Sequence, residues 1–108
     1  MASLRTGTWR IDGNGHHGDL VIQNVAANGK VTGTIYGQPI QGWWDEEDRR
    51  ITFLRQAASQ SFDGYAWDEP AGADVNAFLA GSFETYAGGG GTAKRPTYGW
   101  YASMHVIG

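Results

Sequence analysis

The chain has 108 residues, among them 17 glycines, three prolines and no cysteine, and its formal net charge is −3 at pH 7. That length holds one modest core and so one domain, and without cysteine it uses no disulfide, thiolate nucleophile or Cys-ligated metal. Lys30, Lys94 and Arg95 are scattered, and Arg49-Arg50 follows the acidic run Asp45–Asp48, so no basic stripe exists to bind nucleic acid; no stretch approaches the ~20 apolar residues of a membrane helix.

No window carries helical periodicity, and short β-rich runs with alternating polarity dominate. They predict eight strands: Gly7–Asp12, Asp19–Ala26, Lys30–Tyr36, Pro39–Asp45, Arg50–Gln56, Ser61–Trp67, Asn76–Ala87 and Thr97–Val106. Turn chemistry separates them. Asp12-Gly13-Asn14-Gly15 breaks the first pair, Asn28-Gly29 the second, Gly37-Gln38 the third and Glu46–Asp48 the fourth from the fifth. Asp68–Gly72 reads as a longer loop, and Gly88–Gly91 as a flexible hinge before Thr92–Pro96. Such short connections leave antiparallel neighbours, because a parallel crossover needs about a dozen residues or more. Eight strands in up-and-down order predict an all-β, eight-stranded antiparallel up-and-down β-barrel, with an open sandwich as the alternative.

Six times a glycine in an apolar run is followed within three residues by an aromatic, as in Gly7-Thr8-Trp9, Gly42-Trp43-Trp44 and Gly99-Trp100. Glycine weakens an isolated strand and belongs where a strand bends or another backbone approaches, and a nearby ring can cover the gap. Alternation points Val31, Gly33 and Ile35 inward and Lys30, Thr32, Thr34 and Tyr36 outward. By the same rule Ile51 and Phe53 point inward, as do Tyr98, Trp100, Ala102, Met104 and Val106.

These residues resemble the calycins, the group of lipocalins, fatty-acid-binding proteins and avidins, through the Gly-x-Trp opening at Gly7-Thr8-Trp9. Avidins resemble the chain most. Gly29–Tyr36 is similar to their third strand, Ile40–Asp45 to the fourth with its closing acid, and Leu79–Phe83 to the sixth. The resemblance implies an avidin-like barrel and assembly into a homo-oligomer through its outer faces. It does not imply biotin binding. Ile11 stands where avidins place a polar ureido contact, Ile35 stands at their tyrosine, with Tyr36 shifted to the other face, and Leu79 replaces a tryptophan. The basic residue that packs on the opening tryptophan has no match in Tyr98–Gly108.

The aromatics carry the functional expectation. Five Trp, five Tyr and four Phe either fill the barrel or wall a pocket for a small apolar or aromatic ligand. The candidate walls are Trp9, Ile35, Trp44, Phe53, Phe83 and Trp100, with Tyr98 and Arg55 as polar anchors. Arg55 is either a solvent-exposed arginine or, with Glu84 across the barrel, a grip for an anionic ligand. A second reading is a carbohydrate- or protein-binding module that uses outward-facing Trp43, Tyr65 and Trp67 near Asp63 and Asp68. A bulge at Gly42 would instead turn both Trp43 and Trp44 inward. A third reading is a cofactor-free isomerase or cyclase.

Other constellations read as structural. His16-His17 sits in a glycine-rich loop beside Asp12 and Asp19 without a third ligand at helpful spacing, so no metal is expected. Asp45–Asp48 with Arg49-Arg50 reads as a charged hairpin turn, and His105 as an outward-facing surface histidine. No nucleophile elbow or phosphate loop is present, and Ser59, Ser61, Ser82 and Ser103 lack a His–Asp partnership, so neither catalytic residue nor cofactor is expected. The opening Met1–Arg5 has no apolar h-region, which with the missing cysteines leads us to expect a cytoplasmic protein.

Overall fold

A computed structural model of the protein describes residues 4–85 and 97–107. Its strands are β1 (Gly7–Gly13), β2 (His16–Val25), β3 (Lys30–Ile35), β4 (Gln38–Asp45), β5 (Arg50–Arg55), β6 (Gln60–Ala71), β7 (Asp74–Thr85) and β8 (Thr97–Val106). Each pairs antiparallel with the next, and β8 pairs back onto β1, so the barrel is closed in up-and-down order. Closure removes the edges that an open sandwich would leave. The predicted end of the seventh strand at Ala87, the Gly88–Gly91 hinge and Thr92–Pro96 lie outside the described residues.

Two predicted loops are in fact strand. Asn14 and Gly15, at φ 51° and 87°, make a two-residue hairpin that pairs Gly13 with His16. His16 and His17 therefore open β2 rather than lying in a loop. Likewise β6 runs on to Ala71, and only Gly72-Ala73 separates it from β7. The ladder of β6 with β5 ends at Tyr65, followed by one backbone bond from the Ala66 N–H to the Arg49 carbonyl at 2.9 Å, and among the described residues no strand pairs with β6 on that side at Pro70. The close pair Ala71–Asp74 alternates with Pro70–Val75, whose backbone groups point to that side, so the missing proline N–H breaks no ladder.

Alternation holds across the barrel. Val31, Ile35, Ile51, Phe53, Trp100 and Ala102 are buried. Trp44 faces inward at 6% exposure while Trp43 is 56% exposed, so the chain is regular at Gly42, and the register shift lies in β2 between Ile22 and Asn24. Inside, the register aligns Phe53, Phe62, Phe83 and Tyr98 in one row across β5 to β8. Phe53, Phe62 and Phe83 stack in sequence at centroid distances of 4.6 and 4.7 Å, and Tyr98 meets Phe83 at a tilt of 34° and 5.3 Å. The next row is Gly64, Gly81 and Trp100. Trp100 lies across the two glycines, and a Cβ on Gly64 would come within 2.7 Å of the indole. Its N–H donates to the carbonyls of Asp63 and Ser82 at 3.2 and 3.1 Å, so the buried polar atom is satisfied. The indole meets Phe53 and Phe62 edge-on at 5.7 and 5.9 Å. Here the glycine makes room for a ring carried by another strand.

The two ends differ. At the end holding the β2–β3, β4–β5 and β6–β7 turns, Leu4 is buried with Trp9 and Trp44 in the core cluster. Arg5 pins this segment, its guanidinium to Asp68 at 3.2 Å and its carbonyl to the Trp9 indole N–H at 3.1 Å. The opposite end, with the Asn14-Gly15 and Tyr36-Gly37 turns, has a recess.

Candidate site at the barrel mouth

The recess measures about 420 Å³ and is bounded by Gly13, His16, His17, Tyr36, Arg55, Gln60, Phe62 and Phe83. Its floor is the upper row of the ring stack, and its rim is polar.

Tyr36 defies the alternation that pointed it outward. Its φ of 49° places it in the left-handed region, so the ring turns back over the mouth. The turn that follows it, Gly37 at φ 77°, permits this geometry. The ring covers Gly18, where any Cβ would collide with it, and packs against the core. Its O–H donates to the His16 carbonyl at 2.6 Å. Burial pushes the phenol above its ordinary pKa of 10.0, outweighing the opposing pull of backbone hydrogen bonding and the Arg55 charge.

Arg55 ends β5 half-buried beside that ring, its guanidinium 5.1 Å from the Tyr36 centroid. Nε donates to Gln38 Oε1 at 2.7 Å and Nη1 to Gln60 Oε1 at 3.0 Å. Among the described residues no carboxylate pairs with it. Glu84 is exposed and makes no cross-barrel pair with Arg55. The nearby carboxylate, Asp12, is engaged by the Gly15 N–H at 2.8 Å and by His17 Nδ1 at 3.2 Å. Two neutral amides thus orient the guanidinium, and no described residue cancels its charge.

Of the anticipated wall residues, Arg55 and Phe83 border this recess, and Phe53, Tyr98 and Trp100 belong to the ring cluster beneath it. Trp9 and Ile35 are fully buried core. Trp44 belongs to the opposite end, where its indole donates to Glu46 at 2.7 Å. Sequence reasoning missed Tyr36, Phe62, Gln38 and Gln60 as mouth residues. The signals that would have found two of them are the Tyr36-Gly37 turn, which can end alternation, and alternation from Gly64, which points Phe62 inward. The glutamines carry no signal, because they meet only through Arg55.

Trp43, Tyr65 and Trp67 face outward at 56%, 54% and 42% exposure. Trp67 stacks on Phe78 at 5.3 Å, while Asp63 binds Arg50 and Asp68 binds Arg5. His105 is exposed, with one ring nitrogen 2.7 Å from Asn76 and the other 2.9 Å from Asp74. Asp45 Oδ1 accepts the N–H groups of Glu47 and Asp48, as a hairpin turn requires. No cluster of three His, Cys, Asp or Glu able to hold a metal occurs among the described residues.

Fold and recess together define a small closed antiparallel barrel with a packed interior, one end plugged by Leu4 and, among the described residues, a recess at the other. No family model, curated protein or solved structure matches the chain.

Proposed function

We propose that this barrel is a binding protein for a small planar organic anion, held at the mouth rather than deep inside. The observation that carries the reading is Arg55, a half-buried guanidinium clamped by two amide oxygens above the rings of Phe62 and Phe83. A charge withdrawn from water costs free energy unless a partner neutralises it, and amides do so only in part. A ligand carboxylate would complete the pairing with a charge-assisted hydrogen bond, while its ring meets the aromatic floor. Binding without turnover is proposed. Biotin is not the proposed ligand, because Ile11, in the place of the avidin ureido contact, is 2% exposed within the core.

The test compares 2-naphthoate with its neutral analogue 2-naphthalenemethanol by NMR titration. Naphthoate should shift His16 and Tyr36 resonances and bind on the order of tenfold tighter, the effect of one charged hydrogen bond. Arg55→Gln should erase that preference. Equal binding of the two compounds, or shifts confined to other surfaces, would overturn the reading.

A further inference from the structure

A second recess, of about 720 Å³, lies on the outer wall at the plugged end, between the β2–β3 and β4–β5 turns. One side is Trp43, more than half exposed. A single exposed aromatic is ordinary. What surrounds this one is not. The other side chains that matter are Asn28, Asp45, Glu47, Arg50 and Thr52, and each keeps a polar atom that no described residue uses. Asn28 accepts the Lys30 N–H through Oδ1, leaving its amide N–H groups. Asp45 caps the turn through Oδ1, leaving Oδ2. Arg50 holds Asp63 through Nε and Nη2, both at 2.7 Å, leaving Nη1. The Glu47 carboxylate and the Thr52 hydroxyl make no side-chain hydrogen bond to a described residue.

The frame is pre-set. The Trp44 N–H donates to the Gly29 carbonyl at 2.7 Å, fixing the Asn28-Gly29 turn against β4. The two-point contact with Asp63 fixes Arg50. Thr52 stands directly opposite Trp43 in the ladder, and Arg50 two residues further along β5. Directly opposed and diagonal side chains on a sheet lie roughly 5 and 7 Å apart, the scale of one sugar ring.

From these placements we propose that the Trp43 recess binds a neutral carbohydrate, a pyranose whose C–H face lies on the indole and whose hydroxyls meet this mixed set of donors and acceptors. The chemistry disfavours the alternatives. An anion would face Asp45 and Glu47. A cation would meet the Asp45 and Glu47 carboxylates but only one exposed ring, and having no acceptor it would leave the Asn28 amide and Arg50 Nη1 donors unmet. An apolar ligand would bury the unused polar atoms without partners, at a cost for each. A hydroxyl, which donates and accepts, suits both kinds of atom. This site is independent of the barrel mouth.

The test titrates the protein with uncharged xylo-, cello-, manno- and chito-oligosaccharides, reading the Trp43 indole N–H by NMR, with choline and sialyllactose as charged comparators. At least one neutral oligosaccharide should shift that resonance. Trp43→Ala should weaken binding by roughly tenfold or more and Trp43→Tyr by no more than about threefold, because an aromatic face is retained. Asn28→Ala and Glu47→Gln should each weaken it severalfold, while Arg55→Gln leaves it unchanged. Circular dichroism confirms the fold of each variant, and the titration of the unaltered protein needs none. The proposal is overturned if no neutral oligosaccharide moves Trp43, if only choline or sialyllactose does, or if Trp43 shifts with protein concentration alone, which would mark a contact between two copies.

Discussion

The two ends of the barrel solve one problem in opposite ways. A closed sheet leaves two openings through which water reaches apolar side chains. At one end the chain plugs the opening with itself: Leu4 is buried at 5% exposure, Trp44 at 6%, and Arg5 ties the segment to Asp68. At the other, the described residues Tyr36 and Arg55 stand over the stacked rings and border a recess. The plug uses apolar volume, and the mouth uses polar groups held by long-range hydrogen bonds. Apolar volume stabilises. Oriented charge recognises. Stability should therefore concentrate at the plugged end and in the ring core, and ligand response at the mouth.

That division can be broken by experiment. The largest expected effect is Trp9→Ala, which should cost about 3–5 kcal/mol because the ring is 1% exposed and its loss leaves a cavity; denaturant unfolding at unchanged m-value measures it. Leu4→Ala should cost about 2 kcal/mol or more by the same measurement. A smaller loss would mean that the N-terminal segment merely rests on the barrel.

Tyr36→Phe comes next, at roughly 1 kcal/mol for the lost hydrogen bond to His16. It carries a pH signature. Burial keeps the folded phenol protonated above its ordinary value of 10.0, so the unfolded chain releases that proton first. Stability is then fully present below pH 10 and falls as pH rises past it. Tyr36→Phe should flatten that decline in urea titrations between about pH 9 and 11. A decline of the same slope in the variant would show that the ring is not held as described. The smallest effect should be Arg55→Gln, which shifts stability by no more than about 0.5 kcal/mol, since its partners are neutral and the group is half-exposed. A larger loss would make Arg55 a structural residue and weaken the comparison.

Much of the fold was legible because β-structure has a local signature. Each strand was visible through period-two alternation, and the opposite faces of Trp43 and Trp44 followed from it. The boundaries missed were those where turn chemistry looked longer than it is. At Asp12–Gly15 two residues sufficed, and in the stretch read as the Asp68–Gly72 loop the β6–β7 ladder continues through Pro70 to a turn of only Gly72-Ala73. The candidate sites were less legible. The aromatics were found, but most of them fill the core, and the mouth depends on contacts that no local pattern records. The outward reading of Tyr36 failed for one residue's φ.

What the sequence determined by itself was the number of strands, the faces they bury and, with short turns, their antiparallel up-and-down order. Those properties are set within a few residues of each position. What only the tertiary structure decided was that β8 closes on β1, which ring covers which glycine, which end Leu4 plugs and which amides hold Arg55. Trp100 bonds to Asp63 37 positions away, Arg5 to Asp68 across 63, and Arg55 to Gln38 across 17. Register and closure bring such residues together, and a period of two says nothing about partners so distant.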